Sequence, residues 1–219
     1  GFRTLDMFMN DLFESPDGPT GDRAIESRRS IRAFTDQPVS RELIERVLRV
    51  ASRAPSGTNT QPWNVYVLTG AALASLSSEI LHAFEQPDWA QTHRDEYDYY
   101  PTEWKSPFID RRNYRFFDAP VGLMFTIDRI LGRGSWMDYG MFLQNIMVAA
   151  RGWGLDTCPQ AAFTPFHRIV ARHIAMPAEE MLVCGMAMGY ADTTHLANRL
   201  VTERESVAGF TRFIEQPLG

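Results

Sequence analysis

Cysteine is scarce in this chain of 219 residues, which contains only Cys158 and Cys184. Two cysteines without C-x-x-C spacing cannot form a disulfide framework, so the sequence favours a protein of a reducing compartment. Cys158 lies in a turn rich in glycine and proline, but no histidine is close in sequence to activate it as a nucleophile. We therefore expect both side chains to remain thiols that pack in the interior.

Long apolar runs and an excess of positive charge are also absent. No apolar segment approaches the roughly 20 residues that a membrane-crossing helix requires, and no signal-peptide pattern is found. The net charge is −5, and the basic residues are dispersed apart from one cluster, which disfavours binding to nucleic acid or to anionic membranes. These features predict a cytoplasmic protein whose partners are small molecules.

The sequence lacks the fingerprints of several common catalytic sites. Gly132-Arg133-Gly134 and Gly152-Trp153-Gly154 have no third glycine for a dinucleotide fingerprint, and neither a phosphate-binding P-loop nor a G-x-S-x-G elbow occurs. The five histidines are dispersed, and the nearest two, His167 and His173, would fall on different faces of a helix. We therefore predict no metal site.

The elements that are present predict an α+β fold of one domain over residues 1–219. With 44% apolar and 22% charged residues, the composition is that of an ordinary globular protein. Because helices and strands interleave without regular βαβ units, we expect a small sheet flanked by helices. Helical spacing and caps predict helices that begin near Gly21, Ser40, Ala71, Ser135 and Thr164, and apolar or β-branched runs predict strands at 64–68, 121–127 and 181–190.

The helix predicted from Ser135 to Gly152 carries apolar residues around most of its circumference. Such a helix is normally buried on every side, so we expect complete burial, as in the central helix of a dimer.

From about residue 85 to 117 the sequence is rich in aromatic residues, charges and prolines, with weak periodicity. This pattern is typical of an insertion rather than a core element, and we interpret it as a substrate lid. The Arg112-Asn113 junction is a candidate site for missing residues. Aromatic stacking on a substrate and simple anchoring of the loop remain equally good interpretations of its aromatic side chains, Tyr97, Tyr99, Tyr100, Trp104 and Phe108.

The one basic cluster is Ser27-Arg28-Arg29-Ser30-Ile31-Arg32. Guanidinium groups and a hydroxyl are donors suited to a phosphate, so Arg28, Arg29, Ser30 and Arg32 are candidate phosphate ligands. A turn-rich loop of small polar residues comes after the next predicted helix. It has the sequence Pro55-Ser56-Gly57-Thr58-Asn59-Thr60-Gln61-Pro62-Trp63. Together the two segments indicate a phosphate-bearing aromatic cofactor.

At these two segments the chain resembles the FMN-dependent nitroreductase superfamily. The resemblance implies a nitroreductase-like fold with a small central mixed sheet and a domain-swapped homodimer, in which a C-terminal arm, about 192–219, crosses the partner. It implies tightly bound FMN, with the arginine cluster at the phosphate. It also implies that Pro55, Ser56, Gly57 and Asn59 reach the flavin from the opposite subunit.

Two further segments are similar to the same superfamily. Gly154 to Phe163 corresponds to the segment that runs along the flavin face and presents backbone N–H groups to the ring. Pro159 is expected to pack on the ring, and the side chains of Gln160 and Ala161 are expected to be free to vary. Near the C-terminus, the resemblance implies that Arg204 reaches the phosphate, with Arg199 as a further candidate.

The activity implied by the resemblance is reduction of nitroaromatic compounds by NADH or NADPH in alternating half-reactions. Hydride passes from the nicotinamide to the flavin, and then an aromatic substrate takes its place on the same face. No side chain is assigned as catalytic, because the flavin carries the electrons and solvent can supply protons. Two alternatives stay open: a reductive dehalogenase like iodotyrosine deiodinase, with Glu96, Tyr97 and Lys105 in its lid, and a flavin-binding protein without turnover.

Overall fold

The structure is a computed structural model that describes residues 21–101 and 109–216. None of the helices in these two ranges has the length and apolar content of a bilayer-crossing segment. The helices are α1 Gly21–Ser27, α2 Arg41–Ala51, α3 Gly70–Phe84, α4 Trp89–Thr92, α5 Arg133–Gly152, α6 His167–Ile174 and α7 Val207–Phe210. The strands are β1 Asn64–Thr69, β2 Val121–Asp128, β3 Asp156–Gln160 and β4 Glu180–Gly189, and 3-10 turns span Gly57–Asn59, Arg111–Asp118, Ala161–Phe166 and Leu196–Arg199.

The four strands form one sheet in the order β1-β2-β4-β3, and every neighbouring pair is antiparallel. A small sheet flanked by helices confirms the predicted α+β class. A mixed sheet was expected, but parallel pairing in the described part of the chain is limited to one bridge, between Ser30 and Thr157. The bridge joins the arginine cluster to β3, the edge strand.

Alternation along β2 builds a separate core on each face of the sheet. Leu123 and Phe125 point towards α2 and α5, whereas Met124 between them points towards α3 and the 3-10 turn at 111–118. Successive side chains of a strand point to opposite faces, and all three of these are fully buried. The sheet is therefore covered by helical layers on both faces.

Helix α5 is buried along one stripe only, so the prediction of complete burial is wrong for the single chain. Its buried residues are Tyr139, Phe142, Ile146 and Ala150. The opposite side remains open, with Met137 73% exposed and Met141 40% exposed. Apolar residues cover more of this helix than the described residues of its own chain bury.

The end of the predicted insertion belongs to the core rather than to a lid. Tyr114, Phe116 and Phe117 are at most 1% exposed and pack among the aromatic side chains below the sheet. Their periodicity is weak because Phe116 and Phe117 adopt left-handed backbone angles, with φ of 51° and 54°. The Arg112-Asn113 junction lies inside this 3-10 turn, where Asn113 N donates to Asp110 O at 2.9 Å.

Gly122 in β2 has no room for a side chain. A Cβ at this position would lie 2.6 Å from Leu73 Cδ1 and 2.7 Å from Phe116 Cε1. We expect Gly122→Ala to reduce the free energy of unfolding by about 2 kcal/mol, because both neighbours are buried and must shift. Denaturant unfolding measures the change.

The matched control is Gly134→Ala in the first turn of α5, where a Cβ would meet nothing within 4 Å. This variant should gain about 0.5–1 kcal/mol from improved helix propensity. Equal stability of the two variants would contradict the packing of α3 and residues 111–118 against the sheet.

Candidate functional site

The arginine cluster runs as an extended segment beside β3. Ile31 N donates to Thr157 O at 3.1 Å, next to the Ser30–Thr157 bridge. Ile31 and Ala33 are each 3% exposed. Since side chains alternate in extended backbone, the residues on either side of Ile31, Ser30 and Arg32, face the opposite way. The apolar residues thus anchor the segment and direct its polar side chains outward.

Asn198, in the 3-10 turn near the C-terminus, fastens the arginine segment to the chain's final section. Its side-chain Oδ1 accepts from Arg32 N, and its Nδ2 donates to Ala33 O and Asp192 O, each at 2.8 Å. Its backbone O accepts from Arg29 Nη1 at 3.0 Å. Asn198 is only 7% exposed, so these bonds replace solvent for a buried amide.

These contacts shape a polar pocket of about 480 Å³ between the arginine segment, α5 and the final section of the chain. In the described ranges, no carboxylate lies within ion-pair distance of Arg28, Arg29, Arg32 or Arg204. Glu26 also lines the pocket, so four arginines face one carboxylate there. Such an excess of positive charge suits an anion with several acceptor oxygens. Four predicted residues from the first segment line this pocket together with Arg204, namely Arg28, Arg29, Ser30 and Arg32.

Arg204 contacts its own neighbours as well as lining the pocket. Its Nη1 donates to Thr202 Oγ1 at 2.7 Å and to Glu203 O at 2.9 Å. Arg199, the further candidate, does not line this pocket.

A second cavity, of about 810 Å³, lies at the other end of β3. It is mostly apolar and aromatic, which suits a flat ring. Trp104 and Phe108 fall outside the described residues. The predicted residues that line this cavity come from the third segment and from the lid, namely Pro159, Gln160, Ala161, Tyr97, Tyr99 and Tyr100, and Trp136 lies beside them.

Gln160 is held more firmly than the sequence suggested. Its side chain was expected to be free to vary, yet it is 3% exposed and its Nε2 donates to Asn113 O at 2.8 Å. The amide ties the end of β3 to the aromatic core turn at 111–118. This role depends on a contact between residues 47 apart in the chain, which no local pattern signals.

Two shared elements connect the polar pocket with the aromatic cavity. On β3, Thr157 is bridged to Ser30 and Gln160 lines the cavity, about 10 Å further along an extended strand. On α5, Gln144 lines the pocket and Gly140 lines the cavity, about one helical turn away. One elongated ligand with an anionic end and a flat ring can therefore reach both, which is the shape and chemistry of FMN.

The loop that contains Pro55, Ser56, Gly57 and Asn59 lines neither of these spaces in its own chain. It is fixed on the side of α5 by a hydrogen bond from Gly57 N to Asp138 Oδ2 at 3.0 Å. Three residues adopt left-handed backbone angles, Thr58, Asn59 and Gln61, with φ of 51°, 58° and 49°. Such strain costs on the order of 1 kcal/mol per residue and is concentrated at functional sites.

Both cysteines are free and buried, which confirms the expectation that they remain thiols. Burial raises the pKa of Cys158 to about 11, although the nearby Arg32 opposes the shift. Burial raises the pKa of Cys184 to about 12. Because the thiolate is the reactive form, neither side chain is a nucleophile near neutral pH.

Asn198→Ala should destabilise the protein and weaken anion binding in the arginine pocket. The change leaves Arg32 N–H and two buried carbonyls without their partner, which costs about 2–3 kcal/mol. Thermal unfolding and phosphate or FMN titration measure the two effects.

The control for that change is His195→Ala. The side chain of His195 lies three residues earlier, is exposed and caps the same turn. Its loss should be below about 1 kcal/mol. If Asn198→Ala were as mild as the control, the fastening role of this amide would be wrong.

The thiols should resist alkylation at pH 8 in the folded protein, because their raised pKa values leave almost no thiolate. Mass spectrometry after iodoacetamide treatment should find both unmodified, and both modified after unfolding in urea. Rapid labelling of Cys158 in the folded state would show that it is accessible and activated.

Comparison with known proteins gives one consistent result. The nitroreductase family model matches residues 25–190. A chloronitrobenzene nitroreductase of Comamonas testosteroni is 37% identical, covering 92% of this chain and all of its own, and a 4-nitrobenzoate reductase of Pseudomonas putida is 38% identical, covering 88% and 95%. An FMN- and NADPH-dependent nitroreductase from Sphigopyxis sp. strain HMH superposes with a TM-score of 0.83 at 30% identity, covering 90% of this chain and all of its own.

An iodotyrosine deiodinase of Nematostella vectensis is less similar, at 29% identity over 77% of this chain and 66% of its own. The family match covers the arginine segment and all four strands of the sheet, which form the scaffold of both cavities. This chain belongs to the nitroreductase family.

Proposed function

We propose that this protein is an FMN-dependent oxidoreductase that uses NADH or NADPH to reduce nitroaromatic compounds. The observation that carries the proposal is an arginine-rich pocket joined along β3 and α5 to an aromatic cavity. The names of its relatives support the same chemistry, since they are reductases of chloronitrobenzene and 4-nitrobenzoate, and the similar solved structure is FMN- and NADPH-dependent.

In this proposal the two cavities hold the two ends of the cofactor. Arg28, Ser30, Arg32 and Arg204 bind the phosphate, and Arg29 supports them through its bond to Asn198 O. Pro159, Gln160 and Ala161 form the wall against the ring. FMN held by these residues would supply the hydride-transfer chemistry between NAD(P)H and the nitro compound.

The side chains of the aromatic cavity orient ligands rather than transfer protons. Burial raises the pKa of Tyr97 well above its ordinary value, so its hydroxyl stays protonated, and that hydroxyl already donates to Val183 O. Burial also raises the pKa of Tyr139, whose hydroxyl donates to Asn64 O and Thr126 O at 3.0 Å. We therefore assign no catalytic residue, and solvent supplies the protons.

A homodimer completes the site in this proposal. The open side of α5 exposes Met137 and Met141, and the final section of the chain exposes Phe210 and Phe213 by 69% and 82%. Exposed apolar groups of this size indicate surfaces that a partner covers. A second copy would cover α5, receive the arm at about 192–219 and deliver its loop of Pro55, Ser56, Gly57 and Asn59 to the flavin.

We also propose that residues 1–219 form one domain with a lid over about 85–117. The part of this lid that faces the aromatic cavity is the segment with Tyr97, Tyr99 and Tyr100. Its last residues, from Arg111, serve the core instead.

The deiodinase alternative requires a lid carboxylate that is free to bind an amino-acid ammonium group. Glu96 is the candidate in this chain, but it does not line the aromatic cavity. Its carboxylate instead lies 2.8 Å from Arg129 Nη2 and 3.1 Å from His167 Nδ1. This internal pairing favours a nitroaromatic substrate over a zwitterionic one.

One anaerobic experiment tests the proposal against both alternatives. The purified protein should release FMN on denaturation, and NADH or NADPH should bleach the bound flavin. Adding 4-nitrobenzoate or nitrobenzene should then restore the oxidised spectrum, whereas diiodotyrosine should not. A flavin that NAD(P)H cannot reduce would support the alternative of a flavin-binding protein without turnover. Release of iodide from diiodotyrosine would support the reductive dehalogenase.

Arg28→Ala and Arg204→Ala should each raise the dissociation constant of FMN at least tenfold. Each change removes charge-assisted hydrogen bonds, which are worth about 1.5–3 kcal/mol. Fluorescence titration of the apoprotein measures the constants. Arg49→Ala, in the last turn of α2 and away from the polar pocket, is the control and should bind FMN normally. Unchanged affinity in both pocket variants would overturn the phosphate assignment.

A further inference from the structure

The lid is fixed to the body of the protein at three consecutive residues, 95, 96 and 97. Thr164, in the turn before α6, donates a hydrogen bond to Asp95 Oδ1 at 2.5 Å. Tyr97 donates its hydroxyl to Val183 O on β4, and its ring packs edge-on against Trp136 of α5 with centroids 4.8 Å apart. Between them, Glu96 forms the charged link.

Glu96 lies between two basic side chains from different elements. Its Oε1 is 2.8 Å from Arg129 Nη2, in the turn after β2, and its Oε2 is 3.1 Å from His167 Nδ1, at the start of α6. Burial lowers the pKa of His167, with the charge of Glu96 opposing the shift, so Arg129 is the main charged partner near pH 7. Arg129 is itself held by a bond from its Nε to Ala178 O at 2.9 Å.

This link is more costly to leave broken than an exposed ion pair. The side chain of Glu96 is 17% exposed, whereas its charged partner Arg129 is 41% exposed, so the carboxylate is the member of the pair that is mostly removed from water. Exposed pairs contribute little, but removing one partner of a buried pair leaves the other unsatisfied. The pair therefore fixes the geometry of the backbone that carries it.

The residues that follow the link face the aromatic cavity directly. Tyr97, Tyr99 and Tyr100 line it, and the rings of Tyr99 and Tyr100 contact each other with centroids 4.5 Å apart. Tyr99 and Tyr100 are 56% and 48% exposed, so their own packing fixes them weakly. Their position over the cavity depends on the fixed residues just before them.

We infer that Glu96, through Arg129, is a positioning residue that sets the aromatic wall of the substrate cavity and thereby the affinity for the aromatic substrate. The inference rests on the proposed function, because it takes the cavity at Pro159 and Ala161 as the place where the substrate stacks. Glu96 does not touch substrate in this account. It holds the tyrosine segment in its place along the cavity.

The test is steady-state kinetics of Glu96→Gln and Arg129→Gln holoenzymes with 4-nitrobenzoate and nitrobenzene. We expect KM for both substrates to rise about fivefold to tenfold in each variant while kcat changes less than about twofold, since substrate binding loosens and the flavin site is intact. The double variant should show the same KM as the single variants, because both changes break one link. FMN content should stay at the wild-type level.

The chain offers a matched control in Glu79, which also bridges an arginine and a histidine. Glu79 pairs with Arg172 and with His173, the latter at 2.6 Å, and none of the three lines the aromatic cavity. Glu79→Gln removes the same charge from the same kind of cluster between α3 and α6. It should leave KM unchanged even where the unfolding temperature falls.

Each outcome has a distinct meaning. Unchanged KM in both link variants, additive effects in the double variant, or an equal rise of KM in Glu79→Gln would overturn the positioning role. If Glu96→Gln fails to fold, Arg129→Gln still tests the positioning role. The Arg129 side chain is 41% exposed, so we expect its replacement to be tolerated by the fold. A wild-type holoenzyme that reduces neither nitro compound would overturn the proposed function itself.

Discussion

An excess of positive charge around one pocket is the constraint on which the proposed site depends. Arg28, Arg29, Arg32 and Arg204 are gathered around one pocket in a chain whose net charge is −5. Like charges repel, so the arrangement must be held by other contacts, and a bound anion would stabilise it. The contacts are the pairing of the arginine segment with β3 and the buried amide of Asn198.

Strand β3 links this anion site to the rest of the molecule. At one end Thr157 pairs with the arginine segment, and at the other Gln160 is tied to Asn113 and lines the aromatic cavity. Because a strand is nearly inextensible, the distance between the phosphate site and the ring site is fixed by its length. Helix α5 likewise contributes to both spaces, with Gln144 at the polar pocket and Gly140 at the aromatic cavity. In the proposal, two rigid elements therefore set the position of one ligand.

The sequence predicted the parts of this arrangement that depend on local chemistry. The arginine segment and the small α+β sheet were visible in residue type and spacing. The resemblance rested first on the arginine segment and the loop at 55–63, and it then pointed to the segment with Pro159. The strand positions were also predictable, because buried strands such as β2 are continuous apolar runs. The cluster of arginines from both ends of the chain was implied by the resemblance alone.

The remaining features depend on contacts that sequence spacing does not encode. Left-handed angles at Phe116 and Phe117 destroy the periodicity that would mark them as core. The burial of α5 depends on what covers its second side, which residues 21–101 and 109–216 of its own chain leave open. Gln160 and Asn198 are short polar side chains whose roles come from partners 47 and 165 residues away.

The most direct test of the account is to compare the affinity of the apoprotein for FMN and for riboflavin, which differ only in the phosphate. If the arginine pocket holds the phosphate, riboflavin should bind at least about a hundredfold more weakly, since several charge-assisted hydrogen bonds are lost together. Added salt should weaken FMN binding more than riboflavin binding. Equal affinity for the two flavins, with equal dependence on salt, would contradict the account.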